Sequence, residues 1–274
     1  MSLDSWNDGP VRQAILDYLD RIDDVAPADR IAVVDNDGTL WCEKPTYTQA
    51  LFILQKLGVD PAHDEIPSVQ ALLEAHAGIT TDEFDAEVAQ WLEAFRHPRF
   101  GVPFTGLVYA PMLELLALLR EHQFRVFVVT GGGVDFVRPV ATQIYGVEPD
   151  DVVGSAIQVE FAREDGRVVL NRTAKLAGPP DEGPPKVVNI HGHIGRRPLV
   201  AIGNSAGDAE MLEYAHTGSL PSLCLVVNHD DEEREYAYGG AALTNPDAED
   251  ILVTAKRFNW TVVSMRDDWS RVFG

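Results

Sequence analysis

Between Val11 and Asp23, Ile15, Leu19 and Ile22 share one helical face among Asp and Arg, and Pro27 closes the segment. That spacing predicts an amphipathic helix laid on a core. Ile31-Ala-Val-Val then runs without a polar break into Asp35, the pattern of a short strand buried on both faces of a parallel sheet. Phe124 to Val129 repeats the pattern and ends at Thr130-Gly131-Gly132-Gly133, and Leu199 to Ile202 repeats it before Gly203-Asn204-Ser205-Ala206-Gly207-Asp208. Ser222 to Val227 reads as a further strand and Trp260 to Met265 as a late edge strand. Helical patterns at Met112 to Arg120 and Ala209 to Tyr214 alternate with the strands, so the expected fold class is α/β, a doubly wound parallel sheet. Ligands of such sheets bind beyond the carboxyl ends of the strands, where the three polar, Gly-rich segments would converge.

A long segment from Glu43 to Phe104 separates the first two strands and carries helical stretches at Thr48 to Leu57, Val69 to Ala77 and Glu83 to Phe95. Thr80 and Glu83 have the spacing of a capping box for the last of these. Pro61, Pro67, Gly78 and Pro98 punctuate the pieces. The expectation is a helical subdomain, residues 43–104, inserted into a sheet domain made of residues 1–42 and 105–274 and sitting over the site. Gln158 to Lys186 alternates like a hairpin around Asp165-Gly166 and then turns rich in Pro and Gly.

Composition narrows the function. The chain has 274 residues, 45% of them hydrophobic and 24% charged, the balance of a folded globular protein. Its 43 Asp and Glu against 22 Lys and Arg leave a formal charge of -21, which repels nucleic acid and anionic membrane surfaces. A small phosphorylated substrate is repelled as well, so its site must supply local cations, and a metal ion is the strongest available. Cys42 and Cys224 make neither a disulfide framework nor a zinc motif. No run approaches the roughly 18 apolar residues of a membrane span, and no basic leader followed by an apolar stretch opens the chain. Cytoplasmic location is the default expectation, a leader removed from a precursor leaving no trace; the pattern does not address oligomeric state.

The sharpest chemical signal is Asp35-Asn36-Asp37-Gly38-Thr39-Leu40. Two carboxylates two residues apart share one pocket only where the backbone turns, and Gly38 supplies the turn. One can bind magnesium and attack phosphorus, while the other protonates the leaving oxygen and then activates water. An acidic loop after a strand is the plainer explanation, but the later segments add what phosphoryl transfer needs, namely donors and a cation. Thr130 with the amides of Gly131 and Gly132 offers donors at a helix N-terminus. Lys186 can supply the cation, with Lys175 as a competitor, and the Asn204 to Asp208 segment offers oxygen ligands to a hard octahedral ion. Singly, each has an ordinary reading as a turn or a solvated lysine.

In order and content these motifs resemble the haloacid dehalogenase-like superfamily, and within it the phosphoserine-phosphatase-like branch; the resemblance spans most of the chain. It implies that Asp35 is the nucleophile and Asp37 the general acid/base. It further implies that Thr130, Gly131, Gly132 and Lys186 bind the phosphoryl group, that Mg2+ is the cofactor held by Asp35, Asp37 and Asn204 or Asp208, and that residues 43–104 are a cap. The implied reaction is hydrolysis of a small phosphorylated metabolite through an aspartyl-phosphate. The family usually has Asp where this chain has Asn204, which removes a negative charge from the metal site, and Glu43 lies near a substrate-recognition position without matching spacing. Asp37 argues against dehalogenation, because dehalogenases of this fold lack an acid/base there. A phosphomutase or phosphotransferase, or a noncatalytic phosphate-binding relative, is the alternative. His191 and His193, and Arg96, His97 and Arg99 at the end of the helical segment, read as incidental loop or helix-end residues.

Overall fold

The structure is a computed structural model and describes residues 2–61, 63–242 and 247–274. Six strands form one parallel sheet: β1 Ile31–Val34, β2 Arg125–Gly133, β3 Val152–Ser155, β6 Val200–Gly203, β7 Leu223–Asn228 and β8 Thr261–Ser264. Their spatial order is β3-β2-β1-β6-β7-β8, so the chain winds outward from β1 in both directions. Beside the sheet, β4 Ile157–Glu164 and β5 Arg167–Leu176 pair antiparallel. Asp165 and Gly166 turn that hairpin with φ of 47° and 79°, the left-handed pair that a two-residue turn requires.

Helices α1 Pro10–Asp20, α5 Ala110–Glu121 and α6 Val134–Tyr145 cover one face of the sheet, and α7 Pro184–Ile194, α8 Ala209–His216 and α9 Ile251–Phe258 cover the other. α10 Met265–Asp268 follows β8. Alternate residues of β1 divide between these faces: Ala32 and Val34 enter the apolar cluster with Ile15, Leu119 and Phe136, whereas Ile31 and Val33 join Ile190, Met211 and Ile251. Both faces being covered explains why β1 is an unbroken buried apolar run. Each such fully buried valine contributes about 1.5–3 kcal/mol relative to exposure.

Residues 43–104 carry α2 Thr48–Lys56, α3 Val69–Glu74 and α4 Thr81–Ala94. Thr80 caps α4 through both bonds of a capping box with Glu83. Leu51, Phe52, Phe84, Val88 and Leu92 of this segment enter the same apolar cluster as one face of the sheet. The hairpin is stitched to it as well: Gly78 N–H donates to the Arg172 carbonyl at 2.8 Å and Arg172 N–H to the Ile79 carbonyl at 2.9 Å. The insertion and the hairpin, far apart in sequence, therefore form one wall over the carboxyl end of the sheet. No helix among the described residues is long and apolar enough to cross a membrane.

Two expectations need correction. The Thr130–Gly133 segment does lead straight into a helix, α6 starting at Val134 with Gly133 as its N-cap, but it is not a free loop, because β2 continues through it, pairing Thr130 with Gly154 and Gly133 with Ser155 across a bulge. A side chain at position 154 would meet the Thr130 carbonyl at 2.9 Å, so a glycine there lets the two strands approach. The first helix also ends at Asp20 rather than Asp23.

Candidate active site

Parallel pairing sets Val34 beside Val128 on one side and Ile202 on the other, so Asp35, Thr130 and Asn204 emerge from three adjacent strands. Asp35 extends the ladder by donating its N–H to the Ile202 carbonyl at 2.9 Å. Beyond it the chain doubles back: the Asn36 carbonyl accepts from the amides of Thr39 and Leu40 at 3.2 and 2.8 Å, and Gly38 N–H reaches the Trp41 carbonyl at 2.9 Å. Gly38 has φ 73°, and a β-carbon there would stand 2.1 Å from Asn204 Nδ2. The turn is held from below by Tyr145, whose hydroxyl donates to Asn36 Oδ1 at 2.8 Å, and from the side by His229, whose Nε2 lies 2.7 Å from the Gly38 carbonyl. Buried Glu235 in turn faces His229 Nδ1 at 3.2 Å.

Lys186, in the first turn of α7, is buried and donates to Asp35 Oδ1 at 2.7 Å, Asp208 Oδ1 at 2.6 Å and the Val129 carbonyl at 3.0 Å. Burial alone favours the neutral amine, but Asp208, Asp35 and Asp181 hold the ammonium charged, with its pKa above the ordinary value. The second oxygen of Asp208 accepts from the amides of Asn204 and Ser205 at 3.0 and 3.1 Å, so both its oxygens are committed within the protein. Asn204 Oδ1 accepts from the Thr39 hydroxyl at 3.1 Å. Lys175 is exposed on β5, so α7 rather than the hairpin brings a lysine to the site.

Asp35 is held well above the usual carboxylate range, first by burial and then by the neighbouring Asp208, against the lowering pull of Lys186. Burial also pushes Asp37 up to about 6, opposed by its hydrogen bond from the Trp41 indole at 2.8 Å and reinforced by Glu43. Asp37 Oδ2 faces Gly132, 3.7 Å from where a β-carbon on that glycine would lie. Thr130 is buried behind the cavity wall, its hydroxyl accepting from Gly132 N–H at 3.0 Å. Gly133 N–H donates to Gln49 Oε1 at 2.7 Å, a tie from α2 to the Gly-rich strand end that no sequence pattern marked.

Asp35, Asp37, Gly131, Gly132, Lys186 and Asp208 border one cavity of about 340 Å³ together with side chains from α2, α3, α4 and the hairpin, whereas Thr130 and Asn204 lie outside its lining. The residues read as incidental stay clear of it. His193 is tied to the Asp150 carbonyl at 2.7 Å and His191 is exposed. Arg96 caps the carbonyls at the end of α4, buried His97 sits 2.7 Å from the Lys44 carbonyl, and Arg99 donates to the carbonyls of Glu232 and Glu235. These last two are structural ties, not solvated helix ends.

No set of three or more His, Cys, Asp or Glu side chains among the described residues converges on a metal position. Asp35, Asp37 and the Asn204 carbonyl offer oxygen donors alone, the set a hard cation takes when water or phosphate oxygens complete its shell. That Asp35 is held above its ordinary range also fits a cation site, since a divalent ion beside it would favour its charged form.

A parallel sheet with helices on both faces and an acidic, lysine-anchored crevice at its switch point defines a doubly wound α/β core with a ligand site beyond the carboxyl ends of its strands. The family model for haloacid dehalogenase-like hydrolases matches residues 32–213, and the chain belongs to that family. No curated protein matches it in sequence. Among solved structures it is similar to a protein of unknown function from Anaerococcus prevotii, with a TM-score of 0.54, 14% identity, and coverage of 81% of this chain and 86% of that one. A second protein of unknown function, from Bordetella pertussis, gives a TM-score of 0.51 at 17% identity over 85% of this chain and 97% of that one. A phosphoserine phosphohydrolase-like protein from Francisella tularensis gives 0.47 at 14% identity over 85% and 94%.

Proposed function

We propose that this hydrolase cleaves small-molecule phosphomonoesters through a phosphoryl group carried on Asp35, with Mg2+ as cofactor. The observation that carries the reading is the Lys186 ammonium bonded to Asp35 Oδ1 at 2.7 Å beside Asp37 in the same cavity. Lys186 orients the Asp35 carboxylate and leaves Oδ2 for in-line attack on phosphorus. As the Oδ2–P bond forms, the P–O bond to the alcohol breaks, and the Asp37 carboxyl gives its proton to the departing oxygen. The Asp37 carboxylate then takes a proton from water, whose oxygen attacks phosphorus, breaks the P–O bond to Asp35 and releases inorganic phosphate. A group near pKa 6 is suited to both roles at neutral pH.

Asp35, Asp37 and Asn204 would hold the magnesium, which when bound neutralises charge on the transferring phosphoryl group. With both its oxygens committed, Asp208 serves as the anchor of Lys186. Thr130 holds the Gly132 N–H, so a phosphate oxygen on the Gly131-Gly132 wall would have to take that donor over from the Thr130 hydroxyl. Residues 43–104 together with the hairpin act as the cap over residues 1–42 and 105–274. Among the described residues the two cations lining the cavity are both ion-paired, Lys186 with Asp35 and Asp208 and Arg172 with Asp135; a second phosphate would have to compete with a carboxylate for either, which weighs against a phosphomutase. Phosphate release from an aryl phosphate, measured with magnesium and again in excess chelator, tests the proposal: release should require the metal.

A further inference from the structure

The half of the cavity away from Asp35 is built from other material. Ile53 of α2, Leu72 and Leu73 of α3, Phe84 of α4, and Ile157 and Leu176 of the hairpin line it. Its charged side chains, Arg172 and Asp135, bond one another and His76 is uncharged, while the buried Arg172 Nε and His76 Nε2 have no hydrogen-bond partner among the described residues. The Arg172 guanidinium is buried, lies 3.7 Å over the Phe84 ring and pairs with Asp135. His76 is buried and stacked 4.7 Å from Phe52, and burial lowers its pKa to about 4, so it is neutral at physiological pH. The carboxylates Glu43, Glu182 and Asp208 gather at the reacting end, near Gly38, Gly131 and Lys186 respectively. A carboxylate or second phosphate on the leaving group would therefore enter the apolar half where the cation among the described lining residues, the Arg172 guanidinium, is already bonded to Asp135, and it would have to compete with that carboxylate or be buried unpaired.

Resting on the proposed phosphomonoesterase reading, we infer that the alcohol released by this enzyme is a largely apolar body without an anionic group, so that the substrate class is monoalkyl or aryl-alkyl phosphates rather than phosphorylated amino acids or bisphosphates. A cavity of 340 Å³ corresponds to about eleven waters at roughly 30 Å³ each. That is room for a phosphate and a body of about six carbon atoms, which replaces poorly held water against Leu72, Leu73 and Phe84. Specificity then comes from apolar area: each buried methylene should raise affinity about fourfold.

The test pairs turnover with binding. For the wild-type protein with magnesium, kcat/KM across methyl, propyl, butyl and hexyl phosphate should rise about fourfold per methylene beyond propyl and exceed the value for phosphoserine. Calorimetric Kd values for the matching non-hydrolysable alkylphosphonates should fall in parallel. Leu73→Gln and, separately, Leu72→Gln should flatten the hexyl-to-propyl ratio in whichever variant retains the wild-type circular dichroism spectrum. A flat length series, or a preference for phosphoserine, overturns this inference while leaving phosphomonoester hydrolysis intact. Failure to hydrolyse any of these esters or an aryl phosphate overturns the proposed function and this inference with it.

Discussion

Lys186 Nζ lies 2.6 Å from Asp208 Oδ1, and the two side chains are only 2% and 1% exposed. Neither charge has water to fall back on, so removing one strands the other, at a typical cost of about 3–5 kcal/mol. Lys186→Met should therefore lower unfolding stability by that order, and it should also abolish turnover by releasing Asp35. Adding Asp208→Asn to Lys186→Met removes the stranded carboxylate. The double variant should be more stable than Lys186→Met alone in urea titrations, which a simple loss of packing would not produce.

Gly38 closes the turn that brings Asp37 round to the cavity. Its φ of 73° disfavours any other residue, and a β-carbon would press on Asn204 Nδ2 at 2.1 Å. Gly38→Ala should cost about 1–3 kcal/mol from the backbone and the displaced amide together. Magnesium affinity should weaken too, because Asn204 has to move. Parallel thermal unfolding and metal titration of the variant check both effects.

His76 makes stability depend on pH. Its folded pKa, near 4, lies below the 6.5 of an unperturbed histidine, with burial as the main cause and Lys56 adding to it against Glu87. The unfolded chain therefore takes up a proton first as pH falls, so stability is intact above pH 6.5 and is lost between pH 6.5 and 4. The loss should be roughly 1–3 kcal/mol. His76→Phe, which keeps the stack on Phe52, should reduce this acid sensitivity when unfolding free energies of both proteins are compared from pH 7 to 4.

How much of this was legible beforehand depended on whether the signal was local. β1, β6 and β7 stood out because burial on both faces forces a continuous apolar run, and the hairpin turn stood out because Asp165-Gly166 fits its backbone. β3 carries no such signal: Val152-Val153-Gly154-Ser155 has only two apolar residues before Gly and Ser, and it becomes a strand by pairing with β2. For the same reason Thr130 to Gly133 looked like a loop. Asp35, Asp37 and Lys186 were found by motif, but Gln49, Arg172 and His229 were not, since each reaches the site from a distant segment. His229 meets Gly38 across 191 residues of chain, and no periodicity encodes such a contact.

Asn204 is 3% exposed and offers the Thr39 hydroxyl an acceptor at 3.1 Å. Replacing it with aspartate keeps that acceptor and adds a charged oxygen to the donor set. Asn204→Asp should tighten magnesium binding without unfolding the protein. An unchanged or weaker affinity by isothermal titration would remove Asn204 from the metal site.

The division of labour between the two aspartates is the centre of the account. Asp35→Asn removes the nucleophile and should abolish turnover, whereas Asp37→Asn keeps it and loses the proton donor and base, for a fall of roughly 10²–10⁴-fold. With an activated aryl phosphate, whose leaving group needs no proton, Asp37→Asn should form the phosphoenzyme faster than it hydrolyses it. Rapid quench of that variant with labelled substrate, followed by mass spectrometry of the trapped peptide, should find the phosphoryl group on Asp35. A label on any other residue, or no covalent phosphoenzyme at all, would contradict it.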